Sequence, residues 1–161
     1  MNAKPFLTII AAALQTVGLE AVLVGNAAAA LHGAPVTTLD FDFMFRKTPA
    51  NLRKMKKLAR RLNAVILRPY YPASNLYRVV VEDTGLQLDF MSALTGISSF
   101  SSLRSRAQRV ALGHGRLWVA SLRDVISSKR KLGRPRDLAV LGLLEKTLRE
   151  QERAQNKKEQ A

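Results

Sequence analysis

The chain has 161 residues, 47% of them hydrophobic, and no cysteine. This excludes a disordered polymer, disulfides, zinc–thiolate sites and thiol nucleophiles, and it leaves room for one domain with a real core. With 26 Lys and Arg against 12 Asp and Glu the formal net charge is +14, a field that draws polyanions, nucleic acid first and anionic membrane second.

The opening MNAKPFLTIIAAALQTVG superficially resembles a secretion signal. Pro5 suits a first helical turn, however, and Phe6, Ile9, Ile10, Ala13 and Leu14 make an inward face, so the reading is an amphipathic core helix. No run approaches the ~20 apolar residues that span a bilayer, and the expectation is a cytoplasmic protein with no membrane partner. EAVLVG reads as a short buried strand, Gly25-Asn26 as a tight turn, and AAAALHG as a helix closed by Gly33. TTLDFDFMF is the next strand. Thr48 and Pro49 form an N-cap and N1 pair for a helix to about Leu62, with Asn63 as its stop. Leu52, Met55, Leu58, Ala59 and Leu62 form its apolar stripe. AVILR is a strand, and LYRVVVEDTGLQLDFM a hairpin turning at Asp83-Thr84-Gly85. SLRSRAQRVALGHGRLWVAS reads as a loop and two short strands. A helix follows from Leu122, broken near GRPRD and resumed as LAVLGLLEKTLRE. Residues 1–150 are expected to form a single domain whose helical C-terminal part covers about 121–150, with 151–161 a polar flexible tail. The expected fold class is α+β, a small mixed sheet with helices packed on it.

LDFDF, residues 39–43, sets Asp40 and Asp42 on one strand face and Phe41 and Phe43 on the other. LQLDF repeats the pattern, so adjacent strands with buried apolar faces would bring Asp40, Asp42 and Asp89 to a common face. Carboxylates this close repel unless a cation or a shared proton intervenes. Hard Mg²⁺ takes oxygen ligands and binds through a few carboxylates plus substrate phosphates. Solvated strand residues are the bland alternative.

The sequence LVGNAAAALHG…TTLDFDF…LDFM resembles the nucleotidyltransferase fold superfamily shared by polymerase beta and antibiotic nucleotidyltransferases. The resemblance covers about residues 20–145. It implies a nucleotidyltransferase-like fold, Gly25 and Asn26 at a turn approaching nucleotide phosphates, Asp40 and Asp42 at the metal pair, and Asp89 at the carboxylate that activates the acceptor hydroxyl. The implied cofactor is Mg²⁺ or Mn²⁺, and an NTP is the implied substrate. Asn26 stands where the family usually has Gly or Ser, and Val36 where it often has Arg. SLRDVISSKRKLGRPRDLAVL is similar to the C-terminal motif of AbiEii-type toxins and related small nucleotidyltransferase-like proteins. This resemblance implies functional positions for Lys129, which would contact nucleotide phosphates, and for Asp137, which would orient that lysine or an arginine, with Arg134 and Arg136 beside them.

Other candidates carry plainer readings. Asn26 is either an N-cap or a phosphate contact. His32 reads as a helix-end residue, Asp124 as a helix-start residue, and Trp118 and Tyr77 as core. From Arg46 to Arg68 there are nine basic residues and no acidic one. Arg53, Lys54, Lys56, Lys57, Arg60 and Arg61 crowd one helix, and phosphates in place of counterions would relieve their repulsion. The sequence therefore points first to a Mg²⁺-dependent transfer of a nucleotide from an NTP to an RNA, tRNA-like acceptor. By resemblance this would be a toxin with a protein antitoxin. A non-catalytic nucleic-acid-binding module on the same fold, and a transferase acting on a protein or small molecule, are the alternatives.

Overall fold

The structure, a computed structural model, describes residues 3–38, 40–68 and 75–161. Leu39, the first residue of LDFDF, and residues 1–2 at the head of the predicted first helix lie outside them. In chain order the elements are α1 (Lys4–Val17), β1 (Ala21–Val24), α2 (Gly25–Leu31), β2 (Asp40–Phe45), α3 (Pro49–Arg61), β3 (Ala64–Leu67), β4 (Leu76–Val81), β5 (Leu86–Met91), α4 (Phe100–Arg106), β6 (Gln108–Leu112), β7 (Gly115–Val119), α5 (Leu122–Leu132) and α6 (Pro135–Gln160). The strands form one mixed sheet in the order β3-β4-β5-β2-β1-β7-β6. At its centre β2 runs parallel to β5 and antiparallel to β1. The fold is α+β, as the pattern of elements predicts.

Strand alternation divides the sheet into two unlike faces. Phe41, Phe43 and Phe45 of β2 and Phe90 of β5 are fully buried on one face. Phe43 stacks on Phe90 at 5.1 Å, and Phe45 meets Tyr77 edge-on at 6.1 Å. Each such side chain contributes about 1.5–3 kcal/mol on burial. Helix α1 covers this face, with Phe6 beside Phe41. Over β7 the approach is closest: a Cβ on Gly115 would lie 2.9 Å from the backbone nitrogen of Ala12, so any larger residue there pushes α1 off the sheet. Helix α3 packs on α1 and β3, on the same side. The other face carries Asp40, Asp42, Gln87 and Asp89, and α2 and α5 stand over it.

Thr48 caps α3 by accepting from the Asn51 amide at 3.1 Å, and Asn63 leaves it with φ of 51°, as expected of a C-terminal Asn. Several local expectations are corrected. The stretch SLRSR is not loop but lies in α4: Ser99 accepts from the Ser102 amide at 3.0 Å, and Phe100 and Leu103 are buried one turn apart. Its small polar residues hid a capped, one-sided helix. In α1, Ile9 points outward (55% exposed), and Leu7 and Ala11 take the inward positions. Gly25-Asn26 is already the first turn of α2 rather than a separate turn before it. The polar stretch expected as a flexible tail continues α6 as far as Gln160. Its Glu, Gln, Lys, Arg and Ala residues are good helix formers, and two contacts tie its beginning down: Glu152 pairs with Arg123, and the Gln151 amide meets His32 Nδ1 at 3.0 Å. Among the described residues no helix is long and apolar enough to cross a membrane.

Candidate active site

The acidic face of the sheet, α2, α5 and the start of α6 enclose a cavity of about 560 Å³. Gly25, Asn26, Asp40, Asp42, Asp89, Lys129, Arg136 and Asp137 all line it, together with Arg134. The residues singled out on strand β2, on the hairpin and beyond the helix break thus meet in one place. The parallel register of β2 and β5 does the central work: Asp42 sits directly beside Asp89, and Asp40 beside Gln87.

The carboxylates of this cavity fall into two kinds. Asp137 is 2% exposed and tightly held, accepting from Arg134 Nε at 2.6 Å and Nη2 at 3.2 Å, with Lys129 Nζ 3.7 Å away. The hydrogen bonds from Arg134 hold its carboxyl below the usual range. Burial pushes the Lys129 ammonium down, against the pull of Asp137. Asp89 is held in the same manner by a residue that the sequence reading did not single out. Arg78 Nε donates to its Oδ1 at 2.9 Å and Nη2 to its Oδ2 at 3.3 Å, while Gln87 Nε2 adds a bond at 3.3 Å. Asp124, the expected helix-start residue of α5, pairs with Arg106 at 2.8 Å. Asp40 and Asp42 have no such cation among the described residues. Burial first, then repulsion from Asp89 and Asp40, raises Asp42 to about 6, although Lys129 and Arg134 oppose this.

Gly25 is shaped for this neighbour. Its φ is +66°, and a Cβ there would lie 3.2 Å from Asp42 Oδ2, so glycine both makes the turn and lets the backbone close on the carboxylate. Asn26 is not the N-cap of α2, a position held by Val24. Its side-chain Oδ1 is buried without a hydrogen-bond partner among the described residues, on the cavity wall. His32 is a helix-end residue: its Nε2 meets the Ala120 carbonyl at 2.8 Å and its Nδ1 the Gln151 amide, so both ring nitrogens are engaged structurally. Tyr77 is buried core, whereas Trp118 is only half-buried and lies under Arg104 at 3.1 Å.

No group of three or more His, Asp or Glu side chains among the described residues is arranged to hold a metal ion, and Arg78 and Gln87 occupy the Asp89 oxygens. The donor set that remains is Asp40 and Asp42, two hard oxygen ligands short of positive charge. That fits Mg²⁺ or Mn²⁺, which binds through one or two carboxylates and completes its shell with waters and phosphate oxygens.

The six cations of α3 lie elsewhere. Arg53, Lys54, Lys56, Lys57, Arg60 and Arg61 line no part of the cavity, because α3 packs on the phenylalanine face of the sheet. None of them forms an ion pair among the described residues, and all but the half-buried Lys54 are exposed.

No protein-family model matches the chain, and no curated protein matches it. Solved structures do. The solution structure of the antibiotic-resistance factor ANT(2'')-Ia is similar with a TM-score of 0.64 at 11% identity, over 92% of this chain and 86% of that one. The crystal structure of ANT(2'')-Ia with adenylyl-2''-tobramycin gives 0.62 at 13% identity, over 92% and 90%. A Thermotoga maritima protein with a provisional nucleotidyltransferase assignment gives 0.63 at 18%, over 91% and 92%. At these identities the likeness establishes a shared fold, the one expected from the order of strands and carboxylates.

Proposed function

We propose that this protein is a Mg²⁺- or Mn²⁺-dependent nucleotidyltransferase that moves a nucleotide from an NTP to a hydroxyl of an RNA. The observation that carries the reading is the polarity of the cavity: two carboxylates with no ion pair among the described residues share it with a basic cluster of Lys129, Arg134 and Arg136. A metal–triphosphate complex has the complementary polarity, cation toward the acids and phosphates toward the bases. Nucleotidyl transfer by the fold's neighbours supports it.

In the proposed reaction the acceptor oxygen attacks the α-phosphorus, the bond to the β-phosphate oxygen breaks, and pyrophosphate leaves. Asp40 and Asp42 would hold the metal, which supplies charge neutralisation at the α-phosphate and activation of the attacking oxygen. Lys129, which Asp137 orients, and Arg136, which forms no ion pair among the described residues, take the phosphate oxygens. Asp89 receives the acceptor proton once its oxygens are free. Asn26 Oδ1 offers an acceptor to a hydroxyl or amine of the bound nucleotide.

Charge favours RNA over the small-molecule acceptor of the neighbouring structure. An aminoglycoside is a polycation, and a chain of net charge +14 whose cavity neutralises three of its acids with its own cations suits one poorly. The unpaired cations of α3 suit a phosphodiester backbone. A toxin role with a protein antitoxin is supported by the resemblance of the 121–141 motif to AbiEii-type toxins. Incubation with each labelled NTP, Mg²⁺ and total RNA tests the reading. Label is expected in RNA; label in protein or in a small molecule would redirect the acceptor, and RNA binding without any incorporation would favour the binding module.

A further inference from the structure

Three buried carboxylates of the cavity are gripped by arginines, but they are not equivalent. Asp124 and Asp137 belong to α5 and α6, not to the sheet that carries the acid pair. Asp89 lies next to Asp42 in the sheet, and both of its oxygens are taken: two hydrogen bonds from Arg78 and one from Gln87 cover them. Carboxylate oxygens that already accept N–H groups have fewer lone pairs for a cation, and the guanidinium adds a positive charge where a divalent ion would sit. Arg78 itself is not locked in. Its side chain is 38% exposed at the cavity wall, so packing does not seal it in place.

We propose that Arg78 is a positioning residue that competes with the divalent cation for Asp89. The metal site then assembles in two stages: Asp40 and Asp42 take the ion first, and Asp89 joins only when Arg78 lets go. One guanidinium cannot satisfy Asp89 while a cation does, so the strength of the Arg78–Asp89 pair sets the affinity for the metal. The inference rests on the cavity being a metal site, and its test leaves nucleotide transfer aside.

The test is a Mn²⁺ titration of the full chain followed by electron paramagnetic resonance, without NTP or RNA. Arg78→Gln, Asp89→Asn and the double variant are measured beside the parent, each checked for a native melting transition. Arg78→Gln is expected to bind Mn²⁺ about tenfold more tightly than the parent, the scale on which groups around a metal's ligands act. The gain should vanish when Asp89 is also Asn. Equal or weaker binding by Arg78→Gln overturns the inference, and so does a gain that survives in the Asp89→Asn background, which would be a general effect of charge. Should Arg78→Gln not fold, Arg78→Lys carries the test: it keeps the charge but loses the two-point grip, so a smaller gain is expected, and none would overturn the idea. Absence of Mn²⁺ binding in parent and variants alike would sink both the metal site and the inference; binding that ignores Arg78 would sink the inference alone.

Discussion

The two faces of the central sheet spend charge in opposite ways. On the cavity face Asp89, Asp124 and Asp137 each have a dedicated cation, whereas Asp40 and Asp42 form no ion pair among the described residues. On the far side α3 sets out six cations with no ion-pair partner among the described residues. Paired, half-buried charges fix the direction of particular atoms, because each arginine fork admits few geometries. Unpaired surface charges fix nothing locally but sum to a field that extends about 8–10 Å into physiological salt. The first arrangement suits chemistry at a point, the second capture of an extended polyanion. An RNA on α3 would therefore have to reach around an edge of the sheet to present an end to the cavity. Although α3 follows β2 directly in sequence, it lies on the other side of the sheet from the cavity.

The largest effect that would separate the faces is catalytic. Asp42→Asn should lower labelled-NTP incorporation by at least about 10²-fold, in the range of removing an acid–base or metal-holding group, while RNA affinity by filter binding stays at least as tight. Transfer that survives the change would move the site off this face.

Asp137→Asn should rank next. It strips Arg134 and Lys129 of a partner that is 2% exposed, and losing one member of a buried pair costs about 3–5 kcal/mol. Urea denaturation would show the loss, and NTP affinity should fall with it because Lys129 is no longer aimed. Unchanged stability would mean that the cluster is loosely held.

Asp42 gives a prediction of opposite sign. Its folded pKa is raised from 3.8 to about 6, so the folded state holds this proton more tightly than the unfolded chain does. That contribution is full below about pH 3.8 and is lost as pH rises through about 6. At 1.36 kcal/mol per pKa unit, Asp42→Asn should gain up to about 3 kcal/mol at pH 7.5 with chelator present. Added Mn²⁺ should stabilise the parent and not the variant. A variant no more stable than the parent would show that the cavity already neutralises Asp42.

The smallest expected change in the fold belongs to α3. Replacing Lys54, Lys57 and Arg61 with Ser should leave stability within about 0.5 kcal/mol and NTP affinity untouched. It should weaken RNA binding and flatten the salt dependence by about 0.7–0.9 per lost contact. An unchanged slope would make that face a bystander.

The hairpin shows how far sequence reading reaches. A turn at Asp83-Thr84-Gly85 alone would set Glu82 against Leu86 and Val79 against Asp89, whereas the loop spans residues 82–85, so that Val81 pairs with Leu86 and Arg78 with Asp89. The clamp on the third carboxylate was therefore not legible, because one residue more in the turn shifts every cross-strand pair, and a lone arginine in LYRVVV draws no notice until its partner is a candidate base. Alternation alone separated Phe41, Phe43 and Phe45 from Asp40 and Asp42, since the side-chain period of a strand leaves no other choice. Thr48, Pro49 and Asn63 bounded α3 for equally local reasons. α4 and the helical end of α6 escaped, because a short serine-rich helix and a polar one owe their place to contacts with distant residues such as Arg123 and His32.

The sequence by itself therefore determined most of the elements, the face of each strand and which carboxylates share it, because these follow from periods of two and 3.6 residues and from caps a few residues long. Tertiary structure alone decided that β2 lies parallel to β5 with Asp42 beside Asp89. It also decided that the Lys129–Asp137 pair, formed across the break between α5 and α6, faces those acids, and that the basic helix turns its back on them. Which segments become neighbours depends on how the whole apolar surface is buried at once, a condition that no local stretch of residues can express.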